Sequence, residues 1–87
     1  MKHIRHLLLV FLLFLPFAAF SAGSVNINTA DAQTIASTLT GIGQAKAEAI
    51  VEHREANGPF RSVEDLLRVK GIGEKTLEAN RERIRLE

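Results

Sequence analysis

The chain has 87 residues, no cysteine, and 11 Lys and Arg against 10 Asp and Glu. A chain this short holds one small domain. Without cysteine it has neither a disulfide framework nor thiol chemistry, and its near-neutral charge excludes the strong basic field that draws nucleic acid in from a distance.

The N-terminus is a different kind of sequence from the rest. Lys2 and Arg5 precede an apolar run at 7–20 that is interrupted only by Pro16, and the small residues Ser21, Ala22 and Gly23 follow. A basic start, an apolar core and a small-residue exit predict a cleavable signal peptide over 1–22, cut near 21–23, and hence an exported, periplasmic domain over 24–87. The run falls short of the roughly 20 residues that a membrane-spanning helix needs; an uncleaved anchor is the alternative. Removing Lys2 and Arg5 leaves nine basic side chains against ten acidic ones, a balance of minus one.

After the signal, residues 24–28 read as a short extended lead-in, with Val25 and Ile27 available to cover the core. Asn28 or Thr29 is expected to cap a first helix, with Asp31 in its first turn opposing the helix dipole. Ile35, Ala36 and Leu39 give that helix its apolar side. A second helix is expected over 44–56, burying Ala47, Ile50 and Val51 at helical spacing. His53 falls between Glu52 and Glu55 on what reads as an exposed stretch. Asn57, Gly58 and Pro59 stop the helix.

Phe60 is the only aromatic residue after the signal. One ring can carry a large share of a small core, so Phe60 is expected to wedge between two halves of the domain. A base-stacking platform would need exposed rings and usually several of them. Ser62, with Asp65 three residues on, approximates a capping box for a third helix, whose buried side is Val63, Leu66, Leu67 and Val69. A fourth helix starts at Glu74 and either runs on or breaks near Asn80 into a last turn containing Ile84 and Leu86. No segment alternates apolar and polar over a strand's length, so the predicted fold is all-α.

Two segments carry the chemistry. Leu39-Thr40-Gly41-Ile42-Gly43 leads into the second helix, and thirty residues later Val69-Lys70-Gly71-Ile72-Gly73 leads into the fourth. Glycine reaches positive φ and lets another backbone or a ligand come close, so two of them flanking Ile make a tight connection between helices. Ile42 and Ile72 can plug the crevice between the helices they join. The amides that open the following helix point outward and form an anion site. A duplicated unit of this kind suits a phosphate backbone; read more simply, it is a pair of tight interhelical turns.

The two turns, the Asn57-Gly58-Pro59-Phe60 between them, Val25 to Ala30 upstream and Ser62 to Leu67 downstream resemble the ComEA-like double helix-hairpin-helix proteins of competence and DNA uptake. The resemblance covers nearly all of the chain after the signal. It implies a tandem helix-hairpin-helix domain whose hairpin amides hold the phosphates of double-stranded DNA from the minor-groove side, without reading bases. It also implies a monovalent cation at the hairpin carbonyls in some members, a role in DNA uptake during natural transformation, and other DNA-uptake proteins as partners. Carried onto this chain, the contact groups are Gly41, Ile42, Gly43 and Lys46 at the first hairpin, with Lys70, Gly71, Ile72, Gly73, Lys75 and the Thr76 hydroxyl at the second. Thr40 departs from the family, which often has Pro there.

Other readings are a periplasmic helical protein-interaction module, or a DNA binder with a role other than transformation. The arginines at 81, 83 and 85 are interrupted by Glu82 and followed by Glu87, which reads as a solvated face. Arg54, Arg61 and Arg68 read as surface or intramolecular pairs. Residues 71–76 are also similar to the hairpin of base-excision glycosylases, in which a lysine at the place of Lys75 attacks the sugar. That chemistry needs a downstream Asp and a pocket for a flipped base, and no Asp follows Lys75. The expectation is therefore a binding protein rather than an enzyme, with no metal site and no small-molecule substrate.

Overall fold

Asp31 sets where the first helix starts. Its carboxylate accepts from the Thr34 amide at 2.8 Å, so Asp31 is itself the N-cap and helix α1 spans Ala32–Thr38. Of the two expected caps, Asn28 is committed elsewhere and Thr29 lies before the cap position. The Asn28 side chain donates to the Phe60 and Leu86 carbonyls and accepts from the Phe60 amide at 2.7 Å. The amides of Thr29 and Ala30 turn back onto the Asn26 carbonyl. The computed structural model describes residues 23–87, and the signal peptide expected over 1–22 lies outside them.

The remaining elements follow in order: helix α2 over Gln44–Asn57, a 3₁₀ helix over Val63–Arg68, helix α3 over Glu74–Asn80 and a single 3₁₀ turn at Arg81–Arg83. Helix α2 buries Ala47 and Ile50, while Val51 is only partly covered. It ends where the Gly58 amide returns to the Arg54 carbonyl at 2.8 Å and Pro59 blocks continuation. The third helical segment is a 3₁₀ helix, tighter than an α-helix, and its start is tied through the residue before the N-cap. Asp65 accepts from the Arg61 amide at 3.0 Å, and the Ser62 hydroxyl makes no capping bond.

The all-α architecture holds, with one addition. Strand β1 (Val25–Asn26) pairs in parallel with β2 (Ile84–Arg85), in the register Val25 to Ile84 and Asn26 to Arg85. Two-residue strands are too short to show any alternation. Arg54 adds a second tie to the lead-in, donating to the Ile27 carbonyl at 2.8 Å.

The core lies between these elements, and every buried apolar residue among those described falls between Val25 and Ile84. Phe60 is 3% exposed, as a wedge should be. Its ring stacks on His53 at 5.3 Å between centroids, so His53 is half-buried and does not stand on an exposed stretch. Asn80 is the one buried polar residue among those described.

Candidate nucleic-acid interface

The two hairpins repeat one backbone path. Leu39 and Val69 leave their helices in extended conformation. Gly41 and Gly71 then take φ of +76° and +94°, a left-handed region that costs other residues about 1–2 kcal/mol. Ile42 and Ile72 turn inward, 4% and 6% exposed, so they plug the core and present only backbone to solvent. Gly43 and Gly73 cap α2 and α3 in extended conformation.

The first intrahelical bonds run from the Ala47 amide to the Gly43 carbonyl and from Leu77 to Gly73, at 2.9 and 3.0 Å. The amides before them, up to Lys46 and Thr76, have no partner within the helix. A glycine cap has no side chain to satisfy them. Each hairpin therefore presents a short row of N–H donors beside exposed glycines.

The hairpins are held crosswise. The stem of Lys46, on α2, lies over the second hairpin: a Cβ on Gly71 would stand 3.4 Å from its Cγ and 3.5 Å from its Cε. In the other direction α3 grips the first hairpin. Asn80 accepts from the Thr40 amide at 2.7 Å and donates to the Thr40 and Thr76 carbonyls at 2.8 and 2.9 Å. These contacts set the two glycine turns side by side. They also explain Thr40, because a proline there would have no N–H for Asn80.

Of the cations expected at the site, Lys46 is half-buried along its stem, whereas Lys70 and Lys75 are exposed on the second hairpin and the start of α3. Thr76 is half-buried beside the Asn80 amide. Arg81 is neutralised by Glu64 and Glu78, each at 2.6 Å. That guanidinium holds both carboxyls below the usual range, and they in turn raise the arginine. Sequence reasoning missed Asn80. Overlaying the repeats at their thirty-residue spacing would have flagged it, because Asn80 stands where the first unit has the fully buried Ile50.

Comparison with known proteins gives the same outline. The chain is 60% identical over 60 residues to an uncharacterised protein of Haemophilus influenzae, covering 69% of this chain and 54% of that one. It is 50% identical over 54 residues to ComE operon protein 1 of Bacillus subtilis, covering 62% and 26%. It is 43% identical over 60 residues to endonuclease/exonuclease/phosphatase family domain-containing protein 1 of Rattus norvegicus, covering 69% of this chain but only 10% of that protein. The chain thus spans about half the length of the first of these relatives and much less of the others. The profile of the helix-hairpin-helix motif matches residues 21–85, spanning both hairpins, and the chain belongs to the helix-hairpin-helix family in its ComEA-like, two-hairpin form.

Proposed function

We propose that residues 24–87 form an exported, periplasmic protein that binds double-stranded DNA without sequence preference and acts in DNA uptake during natural transformation. The observation that carries this reading is the placement of the Lys46 stem against Gly71, which sets two rows of unpartnered amides side by side. Two such rows can hold phosphates of a duplex from its minor-groove side, where backbone contacts position the protein without reading base edges. Lys46, Lys70, Lys75 and the Thr76 hydroxyl add charge and a donor to the glycine amides. The similarity to ComE operon protein 1 supports the link to competence.

The monovalent cation that the family allows would take its oxygens from the turn carbonyls. Those of Thr40, Gly43, Val69 and Gly73 already accept hydrogen bonds within the protein, but each carbonyl keeps a second lone pair. Nothing else in the binding scheme depends on that ion.

The balance of minus one over residues 24–87 favours a second reading, a periplasmic protein-interaction module. Titrating residues 24–87 against random-sequence duplexes over a salt series separates the two. DNA binding predicts weak, sequence-tolerant affinity with a shallow salt slope, because few phosphates are neutralised. No binding at 50 mM salt, or a strong preference for one sequence, would refute it.

A further inference from the structure

Overlaying the two hairpins exposes an inequality. Directly before its first glycine, the second unit carries the exposed cation Lys70, while the first carries the neutral Thr40. The structure places another positive group at the deficient position. Arg83, from the 3₁₀ turn that follows α3, donates through Nη1 to the Thr40 hydroxyl at 3.1 Å. We infer that Arg83 is the phosphate-contacting cation of the first hairpin, supplied from the other end of the domain to match Lys70 of the second; this rests on the DNA-binding reading above.

The neighbouring arginines mark Arg83 out. Arg81 is committed to Glu64 and Glu78, and both ion pairs among the described residues are its own. Arg85 folds back onto the Glu87 carbonyl at 2.9 Å. Arg83 is exposed, and its contact is with a neutral hydroxyl, so its charge is aimed without being cancelled. Glu82 beside it is exposed on the same turn and tempers the local field. A guanidinium has five donors in a planar fork that matches a phosphate. One donor on Thr40 orients the fork and leaves the rest available. Thr40 is itself fixed through its backbone by Asn80, so the arginine docks on a held residue.

The test uses residues 24–87, which contain every buried core residue described, with a random-sequence duplex titrated between 50 and 200 mM salt. Each neutralised phosphate adds about 0.9 to the salt slope, so the parent should lose about 3.5-fold more affinity over that range than a variant lacking one contact. Arg83→Gln should show that flatter slope, as Lys70→Ala should, with the parent's circular dichroism. Arg85→Gln should bind like the parent. Thr40→Lys combined with Arg83→Gln, which copies the second hairpin, should restore the slope. If Lys70→Ala flattens the slope and Arg83→Gln does not, the assignment of Arg83 is wrong while DNA binding stands. A parent that does not bind overturns both. If Arg83→Gln loses helicity, Arg83→Lys decides: a retained slope supports the charge role, and a flattened slope in a folded variant overturns it.

Discussion

Gly43 and Gly73 are not required by the fold. Both have negative φ, and nothing lies within 4 Å of where a Cβ would stand. Gly41 and Gly71 differ, because their positive φ strains any other residue, although a Cβ on Gly71 would meet the Lys46 stem only at ordinary contact distance. The four glycines therefore separate stability from binding. Gly41→Ala and Gly71→Ala should cost about 1–2 kcal/mol in chemical denaturation. Gly43→Ala and Gly73→Ala should cost no more than about 1 kcal/mol, the difference between Gly and Ala at a helix cap, yet each should lose most DNA binding because a methyl group intrudes where phosphate approaches. Parent-like affinity in both cap variants would remove the reason for these glycines. The cations divide in the same way. Lys46→Ala, Lys70→Ala and Lys75→Ala should each weaken binding and flatten the salt slope by about one unit. Arg54→Ala should act on stability, since Arg54 holds the Ile27 carbonyl, and Arg68→Ala should do little to either. Equal, negligible effects of all five on binding would leave a helical interaction module.

At the level of elements, exposed carboxylates decide where helical segments start and how they are tied. Asp31 is held below its ordinary range first by the Thr34 amide, Asp65 by the Arg61 amide, and Glu64 and Glu78 by Arg81. A group whose folded value is depressed stabilises the fold above its unfolded value, and that contribution is lost as pH falls through the folded one. The melting temperature should therefore be level from pH 7 to 5 and decline below about 4.5, the ordinary glutamate value. Asp31→Asn keeps a capping oxygen without the titration, so its melting temperature should fall less between pH 7 and 3; an unchanged decline would mean that the cap does not titrate. These caps also show which features could be read in advance. The glycine turns, the stop at Gly58 and Pro59, and the wedge at Phe60 depend on a few adjacent residues and were legible. The α1 cap was misplaced because Asn28 is claimed by Phe60 and Leu86, which are 32 and 58 residues away. The β1–β2 pair was invisible for the same reason: its partners meet only after the chain has closed. At the candidate site the repeat marked out both hairpins, but not the crosswise contacts that set them side by side.

Over the whole molecule, the proposed binding rests on the alignment of two weak sites. Linking sites raises the effective concentration of the second once the first is engaged, provided that the geometry lets both engage together. Asn80 is where that geometry can be tested without dismantling the core. Two of its hydrogen bonds join α3 to Thr40 of the first hairpin and a third returns to Thr76 within α3, while the corresponding place in the first unit is filled by Ile50, equally buried. Asn80→Ile should therefore keep apolar packing at that position. It releases the amide and carbonyl of Thr40, whose bonds are part-buried, so the stability loss should be about 1–3 kcal/mol, two hydrogen bonds at the typical 0.5–1.5 kcal/mol each. Affinity should fall much further, toward that of one hairpin, and the Thr40 amide should exchange its hydrogen faster. Asn80→Ala is the contrasting change: it loses the bonds and also leaves a void, so it should destabilise the domain more at a similar loss of affinity. If Asn80→Ile frees the Thr40 amide but binds DNA like the parent, the hairpins align without this clamp, and the Lys46 stem on Gly71 is left as the contact that sets their spacing.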